Sequence, residues 1–222
     1  MVKLKRKIRK GIYMNFLKKN FHDILKLYIN QIGISIFYFA IIFPLNTISG
    51  EDGLPAVWDL VVSLFSMLFY FTLIYCVVWE IGAKDKIRID AGRCEPTPTK
   101  GALLGAFAII PNLIFSVPLV IFAIVGCFTT ACNNAYGIFT MLTRLHEVFY
   151  NSIVSSFIGV NGLLTPITGD MLNSAVPVHQ LVYSLILFVL PMFAVLVTHL
   201  AYYMGSHERK LFGFITKNLN NK

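Results

Sequence analysis

Residues 57–79 have the sequence VWDLVVSLFSMLFYFTLIYCVVW, and this stretch decides the fold class of the chain. A helix rises about 1.5 Å per residue, so a run of this length can cross the roughly 30 Å hydrocarbon core of a bilayer. Trp58 and Trp79 lie near its two ends, where indole rings prefer the membrane interface. The stretch therefore predicts a transmembrane helix.

Three further apolar runs of similar length flank this one, at residues 27–45, 102–125 and 181–204. Of the 222 residues, 56% are hydrophobic and only 14% are charged. The mean hydropathy is +0.69. A soluble domain has roughly one charged residue in four. We therefore predict an all-α, polytopic integral membrane bundle of four core transmembrane helices, forming a single membrane domain over residues 1–222.

The basic residues are distributed very unevenly between the predicted spans. Nine lie before the first span or at its start: eight within a predicted basic amphipathic helix at residues 1–24, and Lys26 just after it. Five lie in the predicted loop 80–100, and four follow Met204. The outer segment 126–178 holds only Arg144. Because Lys and Arg are retained on the cytoplasmic side, this distribution predicts an even number of crossings of the cell membrane, with both termini in the cytoplasm.

The outer segment 126–178 contains an amphipathic helix at residues 137–160 that allows two interpretations. In the first, the chain has four spans, and this helix is interfacial or re-entrant. In the second, it spans the membrane and is followed by another weak passage over 161–178, which gives six crossings. Five crossings would export the basic C-terminus. In the third span, Pro111 and Pro118 favour kinks because each lacks a backbone donor.

Several stretches in the first half of the chain resemble a group of small, uncharacterised membrane proteins of Gram-positive, largely gut-associated bacteria. They are Tyr28-Ile29-Asn30-Gln31-Ile32-Gly33, Trp79-Glu80-Ile81-Gly82-Ala83-Lys84-Asp85-Lys86, Ala91-Gly92-Arg93, Lys100-Gly101 and Ile110-Pro111-Asn112, with Tyr136-Gly137-Ile138-Phe139 as a weaker match. The resemblance implies a multi-pass membrane fold and no particular activity.

Four polar residues within the predicted spans are candidate intramembrane sites: Asn30, Gln31, Asn112 and His199. Amides in a helix opened by a proline can contact a substrate, as broken transporter helices do. The simpler interpretation, which we favour, is hydrogen bonding between helices. An ionisable His199 within a span is a functional candidate by default, although a neutral imidazole is cheap enough to serve as an interhelical contact.

Arg144, His146 and Glu147 are the candidate residues of the outer surface. An imidazole beside a carboxylate can transfer a proton or bind a metal. However, Tyr150 stands where an H-E-x-x-H motif would need its second histidine, so no metal site is predicted. We favour an ion pair between Arg144 and Glu147, three residues apart, on a solvated helix face.

The loop predicted at 80–100 is the most polar part of the chain and a candidate docking site for a partner protein. The residues concerned are Trp79, Glu80, Lys84, Asp85 and Arg88. The alternative is a solvated loop whose basic residues fix topology. Immediately after it, Gly101 and Gly105 form a G-x-x-x-G pattern, which favours close helix packing inside the protein over a dimer contact.

The net charge of +8 indicates partners of opposite charge. Because the basic residues adjoin apolar spans, anionic lipids of the bilayer fit better than nucleic acid, which we exclude. The chain has no G-x-x-x-x-G-K-[ST], G-x-S-x-G or G-x-G-x-x-G motif, so we expect no cofactor. Cys127 and Cys132, predicted outside, permit a disulfide without requiring one.

Our leading hypothesis is therefore a non-enzymatic, transport-related or accessory membrane subunit that acts through a membrane complex or as an oligomer. One alternative is a membrane-embedded enzyme that acts on lipid or peptide at the outer surface with His146, Glu147 and Asp170. A second alternative is an immunity or stress-type membrane protein. Neighbouring genes for an ATPase or for a peptide toxin would separate transport from immunity.

Overall fold

The computed structural model describes residues 2–49, 56–128, 133–158, 163 and 177–209, and nearly all of them are helical. The helices are α1 (Val2–Ser49), α2 (Ala56–Asp90), α3 (Lys100–Ala108), α4 (Ile110–Gly126), α5 (Asn133–His146), α6 (Val148–Ile158), α7 (Pro177–Val189) and α8 (Phe193–Ser206). A 3₁₀ turn, Leu190–Met192, joins α7 to α8. The predicted all-α membrane bundle is confirmed.

Three helical stretches are long and apolar enough to cross a membrane: Met14–Ile48, Val57–Asp90 and His179–Ser206. The bent pair α3 and α4 passes the same test when it is taken as one span, with a bend of 59° at Ile109. The chain is therefore a membrane protein with three spans in the described residues, or four if the bent pair crosses as a unit.

Prolines explain one helix break, but another proline is accommodated within a helix. Pro111 lies in the first turn of α4 and has no N–H to give to the carbonyl of Phe107, which accounts for the bend between α3 and α4. The predicted kink is confirmed there, whereas α4 continues through Pro118. Pro44 lies just before the predicted end of the first span at residue 45, but α1 continues through it to Ser49, so that predicted end was wrong.

Two other predicted boundaries differ from the structure. The segments 1–24 and 27–45 belong to one continuous helix, α1, rather than to two. The predicted loop 80–100 begins only after Asp90, because α2 continues well past Trp79. Gly92 has a φ of 69° and donates to the carbonyl of Ile89, while Arg93 donates to that of Arg88. This is a Schellman motif, and it ends α2.

The predicted amphipathic helix 137–160 is bent at Glu147 into α5 and α6. The Glu147 N–H still donates to the Thr143 carbonyl at 2.8 Å, and the Glu147 carbonyl accepts from Asn151 at 2.8 Å, so the ladder of hydrogen bonds continues through the bend. Helix α6 is buried on almost every side. Burial on all sides favours a re-entrant helix over an interfacial one for α6.

The contacts divide the chain into two compact units. The first unit comprises Met1–Ile29, Ile74–Ala108 and Val195–Lys222. In it, α3 packs on α8 through Gly101 and Gly105, where an added Cβ would overlap Tyr202 and Thr198. The predicted internal packing contact of the G-x-x-x-G pattern is thus confirmed. Gly82 and Gly205 bring α2 and α8 equally close, since a Cβ on Gly82 would lie 2.6 Å from the Tyr202 carbonyl oxygen.

The second unit comprises Asn30–Leu73 and Ile109–Ala194. Within it, α4 packs against both α5 and α7. Its core is rich in aromatic rings: Tyr70 contacts Phe149 at 5.5 Å and Tyr150 at 6.4 Å between ring centroids. The same core contains fully buried polar side chains, among them Ser66, Asn112 and Glu147, and they make this unit the place to look for a site.

Candidate functional site

The candidate docking residues lie on the last turns of α2 in the first unit, not on a loop. The Trp79 Nε1–H donates to the carbonyl of Arg209 at 2.8 Å, which fixes the ring against the end of α8. Glu80 and Lys84 form an exposed salt bridge of 2.7 Å within the helix. An exposed pair of this kind contributes little to stability. A partner could still contact this surface.

Asp85 differs from its neighbours because its side chain is only 10% exposed. Lys100 Nζ lies 2.6 Å from Oδ2, the Tyr202 hydroxyl donates to the same oxygen at 3.0 Å, and Arg88 lies 3.7 Å from Oδ1. These hydrogen bonds and opposite charges replace the water that a carboxylate loses when it is buried. Asp85 therefore holds α2, α3 and α8 together.

The four intramembrane candidates lie in different environments. The Gln31 and Asn112 side chains are buried, whereas Asn30 is half-buried and His199 is exposed on α8. The Nε2 of Gln31 and both polar side-chain atoms of Asn112 have no hydrogen-bond partner of normal geometry among the described residues. Asn112 is 0% exposed. It is therefore the strongest of the four candidates, because it is a fully buried amide without a hydrogen bond of normal geometry and lies within reach of the Glu147 carboxyl.

The three outer-surface candidates differ in exposure and in the residues they contact. Arg144 is exposed and lies within hydrogen-bonding reach of the Tyr183 hydroxyl. His146 packs on the ring of Phe115, with 5.0 Å between ring centroids. Glu147 is 0% exposed. The predicted Arg144–Glu147 ion pair on a solvated face was wrong, because the bend between α5 and α6 turns Glu147 into the core while Arg144 stays at the surface.

The Glu147 carboxyl is the most unusual polar group of the second unit. Neither of its oxygens has a hydrogen-bond partner of normal geometry among the residues that the structure describes. The Asn112 amide and the phenols of Tyr70 and Tyr150 are close enough to interact with it electrostatically. Burial raises the pKa of Glu147 to about 8, against a smaller opposing effect of the Asn112 amide. The carboxyl thus holds a proton at neutral pH.

A second polar cluster in this unit was missed at the sequence level. Asp59 accepts hydrogen bonds from Tyr38 at 2.5 Å and from Ser156 at 3.0 Å. The Tyr38 hydroxyl also lies 2.7 Å from the Ser152 hydroxyl. Asp59 is the one charged residue of the apolar run 57–79. An ionisable residue inside a span is a functional candidate, and this rule could have identified it.

The arrangement can hold a proton, but the described residues contain no group of three metal-ligating side chains. Cys127 is a free thiol, while Cys132 and Asp170 lie outside the described residues. No family model, curated protein or solved structure matches this chain. The site must therefore be interpreted from its own chemistry: a protonatable carboxyl and an amide within reach of each other, without hydrogen bonds of normal geometry among the described residues, close to two helix bends.

Proposed function

We propose that this chain is a non-enzymatic, transport-related subunit of the bacterial cell membrane, in which Glu147 binds and releases a proton as the helices around it move. The observation that carries the proposal is the Glu147 carboxyl, which is fully buried, has no hydrogen bond of normal geometry among the described residues, and lies beside the neutral Asn112 amide instead of a cation. Such a group is costly to bury, and membrane proteins retain ionisable groups of this kind chiefly in substrate and proton pathways.

The helix geometry around Glu147 supports a moving site. Glu147 lies at the bend between α5 and α6, and Asn112 lies one residue after Pro111, just beyond the bend between α3 and α4. Bent and interrupted helices at a buried polar site are typical of transporters, where they allow a local change in conformation. A small shift of either bend would change the surroundings of the carboxyl, and with them its affinity for a proton.

The enzyme alternative receives less support from the same geometry. It requires His146 and Glu147 to act together at the outer surface, but His146 packs on Phe115 while Glu147 is fully buried, with Asn112 and three tyrosines within electrostatic reach. A general base must reach the proton that it abstracts, directly or through one water molecule. A buried Glu147 can reach a proton inside the protein more readily than it can reach a proton on a lipid or peptide outside.

Orientation in the membrane is the second part of the proposal: both termini face the cytoplasm. The eighteen-to-one distribution of basic residues supports it, as do four crossings when α3 and α4 form one span. Reporter fusions at Asn46, Gly92, Cys132, Asn173 and the C-terminus test it. We expect cytoplasmic reporter activity at Gly92 and Lys222 and external activity at the other three positions; an external Lys222 would refute it.

The proton-binding role can be tested even if transport requires partner subunits. Infrared difference spectra of the purified protein should show the carbonyl stretch of a protonated carboxylic acid, which titrates away above pH 8. Glu147→Gln should remove it, and the matched exposed variant Arg144→Gln should retain it.

Proton uptake by liposomes containing the protein, or the protein with its genetic neighbours, then tests transport itself. We expect uptake by the wild type and by Arg144→Gln, and none by Glu147→Gln. A carboxylic acid band that persists in Glu147→Gln would refute the assignment of the site. Equal uptake by Glu147→Gln and wild type would refute the transport role.

A further inference from the structure

A cavity of about 410 Å³ lies within the first unit, and none of its lining residues belongs to the unit that contains Glu147. Its wall includes Lys19, Asn20, Asp85, Arg93, Lys100 and Tyr202. The volume is within the range of small-molecule sites, roughly 300 to 1,000 Å³. Lys19 and Arg93 are exposed, so the cavity opens to the surface.

The charges of this cavity are only partly balanced. Asp85 already has Lys100 at 2.6 Å and the Tyr202 hydroxyl at 3.0 Å, so this carboxylate is satisfied. Lys19 and Arg93 form no salt bridge within the part of the chain that the structure describes. Glu95, which is exposed, is the other carboxylate of the wall. Three cations thus face two carboxylates, and one of the two is fully occupied.

The unpaired cations are of two types that suit one ligand. Arg93 offers a planar fork of N–H donors, and Lys19 offers a mobile point charge, a combination that fits the oxygens of a phosphate group. Lys100 uses one donor on Asp85 and has two more. Phe16, which stacks on Phe107 at 5.9 Å, provides an apolar wall beside the charges.

The position of the cavity along the chain indicates where such a phosphate is available. Phe16, Lys19 and Asn20 lie at the beginning of the apolar stretch Met14–Ile48, and Asp85 and Ile89 lie at the end of Val57–Asp90. Both are the ends of membrane spans, where phospholipid headgroups are concentrated. Basic pockets between helices at this depth are suited to anionic headgroups.

We propose that this cavity is a binding site for a phosphate-bearing anion, which Lys19 and Arg93 contact directly. The two sources of that chemistry are the headgroup of an anionic phospholipid and a free phosphate. The proposal does not depend on the proton-binding role of Glu147, because every lining residue belongs to the first unit.

The test uses the full-length protein in a neutral detergent, titrated separately with short-chain phosphatidylglycerol, short-chain phosphatidylcholine and inorganic phosphate, with binding followed by calorimetry. The variant Lys19→Ala/Arg93→Ala removes both unpaired cations. Its matched control, Lys18→Ala/Lys26→Ala, removes the same charge from exposed positions of α1 outside the cavity. The charge-retaining variant Lys19→Arg/Arg93→Lys separates charge from folding.

We expect saturable binding of phosphatidylglycerol or of inorganic phosphate, weakened about tenfold or more in Lys19→Ala/Arg93→Ala and about twofold or less in the control. Lys19→Arg/Arg93→Lys should retain most of the affinity. Binding of phosphatidylglycerol alone would identify a lipid site, and binding of inorganic phosphate would identify a site for free phosphate. Equal loss in both alanine variants, equal affinity for phosphatidylcholine, or no binding by the wild type would overturn the proposal.

Discussion

Asp85 and Glu147 are both carboxylates enclosed by helices, and they differ in everything that surrounds them. Asp85 has a lysine, a tyrosine hydroxyl and an arginine within reach. Glu147 has an amide and three phenols nearby, with no hydrogen bond of normal geometry among the described residues. A paired, buried carboxylate is destabilising once its partner is removed, whereas an unpaired one is costly already in the native fold and is retained for another purpose. Burial alone therefore does not distinguish a structural acid from a functional one.

The packing around the two carboxylates differs in the same way. Around Asp85, glycines bring helix backbones into direct contact, and nothing could be inserted between them. Around Glu147, large aromatic rings fill the space, and several polar atoms remain without partners. The close packing around Asp85 opposes movement of the helices. The unpartnered polar atoms around Glu147 leave a proton and the side chains more than one possible hydrogen-bond partner. Four experiments test this contrast, in order of decreasing expected effect.

The largest effect should follow from separating the helices that enclose Asp85. In Gly205→Val, the new side chain would meet the Trp79 carbonyl and lie about 3 Å from the Ala83 nitrogen. Neither is a flexible atom, so we expect a loss above about 3 kcal/mol and almost no monodisperse protein on size-exclusion chromatography. The matched control is Gly33→Val, because no atom lies within 4 Å of a Cβ there. It should change stability by about 0.5 kcal/mol or less.

The next effect should come from removing the charge that Asp85 contacts. Lys100→Met leaves a nearly buried carboxylate without its lysine, and we expect a loss of about 3 kcal/mol in denaturant unfolding. The double variant Asp85→Asn/Lys100→Met should recover part of this loss. Lys84→Met, which breaks an exposed salt bridge in the same helix, should cause no measurable change. Equal losses in Lys84→Met and Lys100→Met would contradict the assignment of Asp85 as a structural acid.

The same isosteric change at each carboxylate compares the two directly. Asp85→Asn weakens the contact with Lys100 and should cost about 1 to 3 kcal/mol. Glu147→Gln leaves the shape intact and removes the cost of keeping a proton on the buried carboxyl, so the variant should be at least as stable as the wild type at pH 7. Circular dichroism during chemical unfolding measures both. A larger loss of stability in Glu147→Gln than in Asp85→Asn would mean that the Glu147 carboxyl has a structural partner, and it would contradict the comparison.

The smallest effect per step is that of pH, because the contribution of Glu147 changes by about 1.4 kcal/mol for each pH unit. Because burial raises the pKa of Glu147 to about 8, the folded protein keeps a proton that the unfolded chain loses above about 4.5. Stability should therefore fall as pH rises from about 5 to 8 and change little beyond. Subtracting the curve of Glu147→Gln isolates this contribution from other groups. A flat difference curve would show that Glu147 is ionised or solvated throughout.

Much of the fold could be predicted from the sequence because membrane spans depend on local composition. The apolar runs, the tryptophans at the ends of the second one and the kink at Pro111 are all determined within a few residues. Helix ends were less predictable. Pro44 remains inside α1, and α2 continues through a charged stretch until Gly92, whose left-handed conformation stops it.

The site was only partly predictable, because burial of a polar residue depends on contacts that are distant in sequence. Asp85 and Glu80 look alike in a charged stretch, and only Lys100 and Tyr202 distinguish them. Glu147 was expected on the same solvated face as Arg144. The bend at Glu147 separates the two, and no local pattern indicates which way α6 turns. Asp59 is the counterexample, since its isolation in an apolar run was visible from the start.

The hydrogen bond from Trp79 to the Arg209 carbonyl also has a practical consequence. The chain has only two tryptophans, and they fall in different units: Trp58 in the second and Trp79 in the first. Replacing either one by phenylalanine leaves a single intrinsic fluorophore. The emission of Trp79 would then report whether the end of α8 is attached to α2, and that of Trp58 would report on the unit that contains Glu147. The protein therefore carries a native optical probe for each unit, and no label is needed to follow them separately.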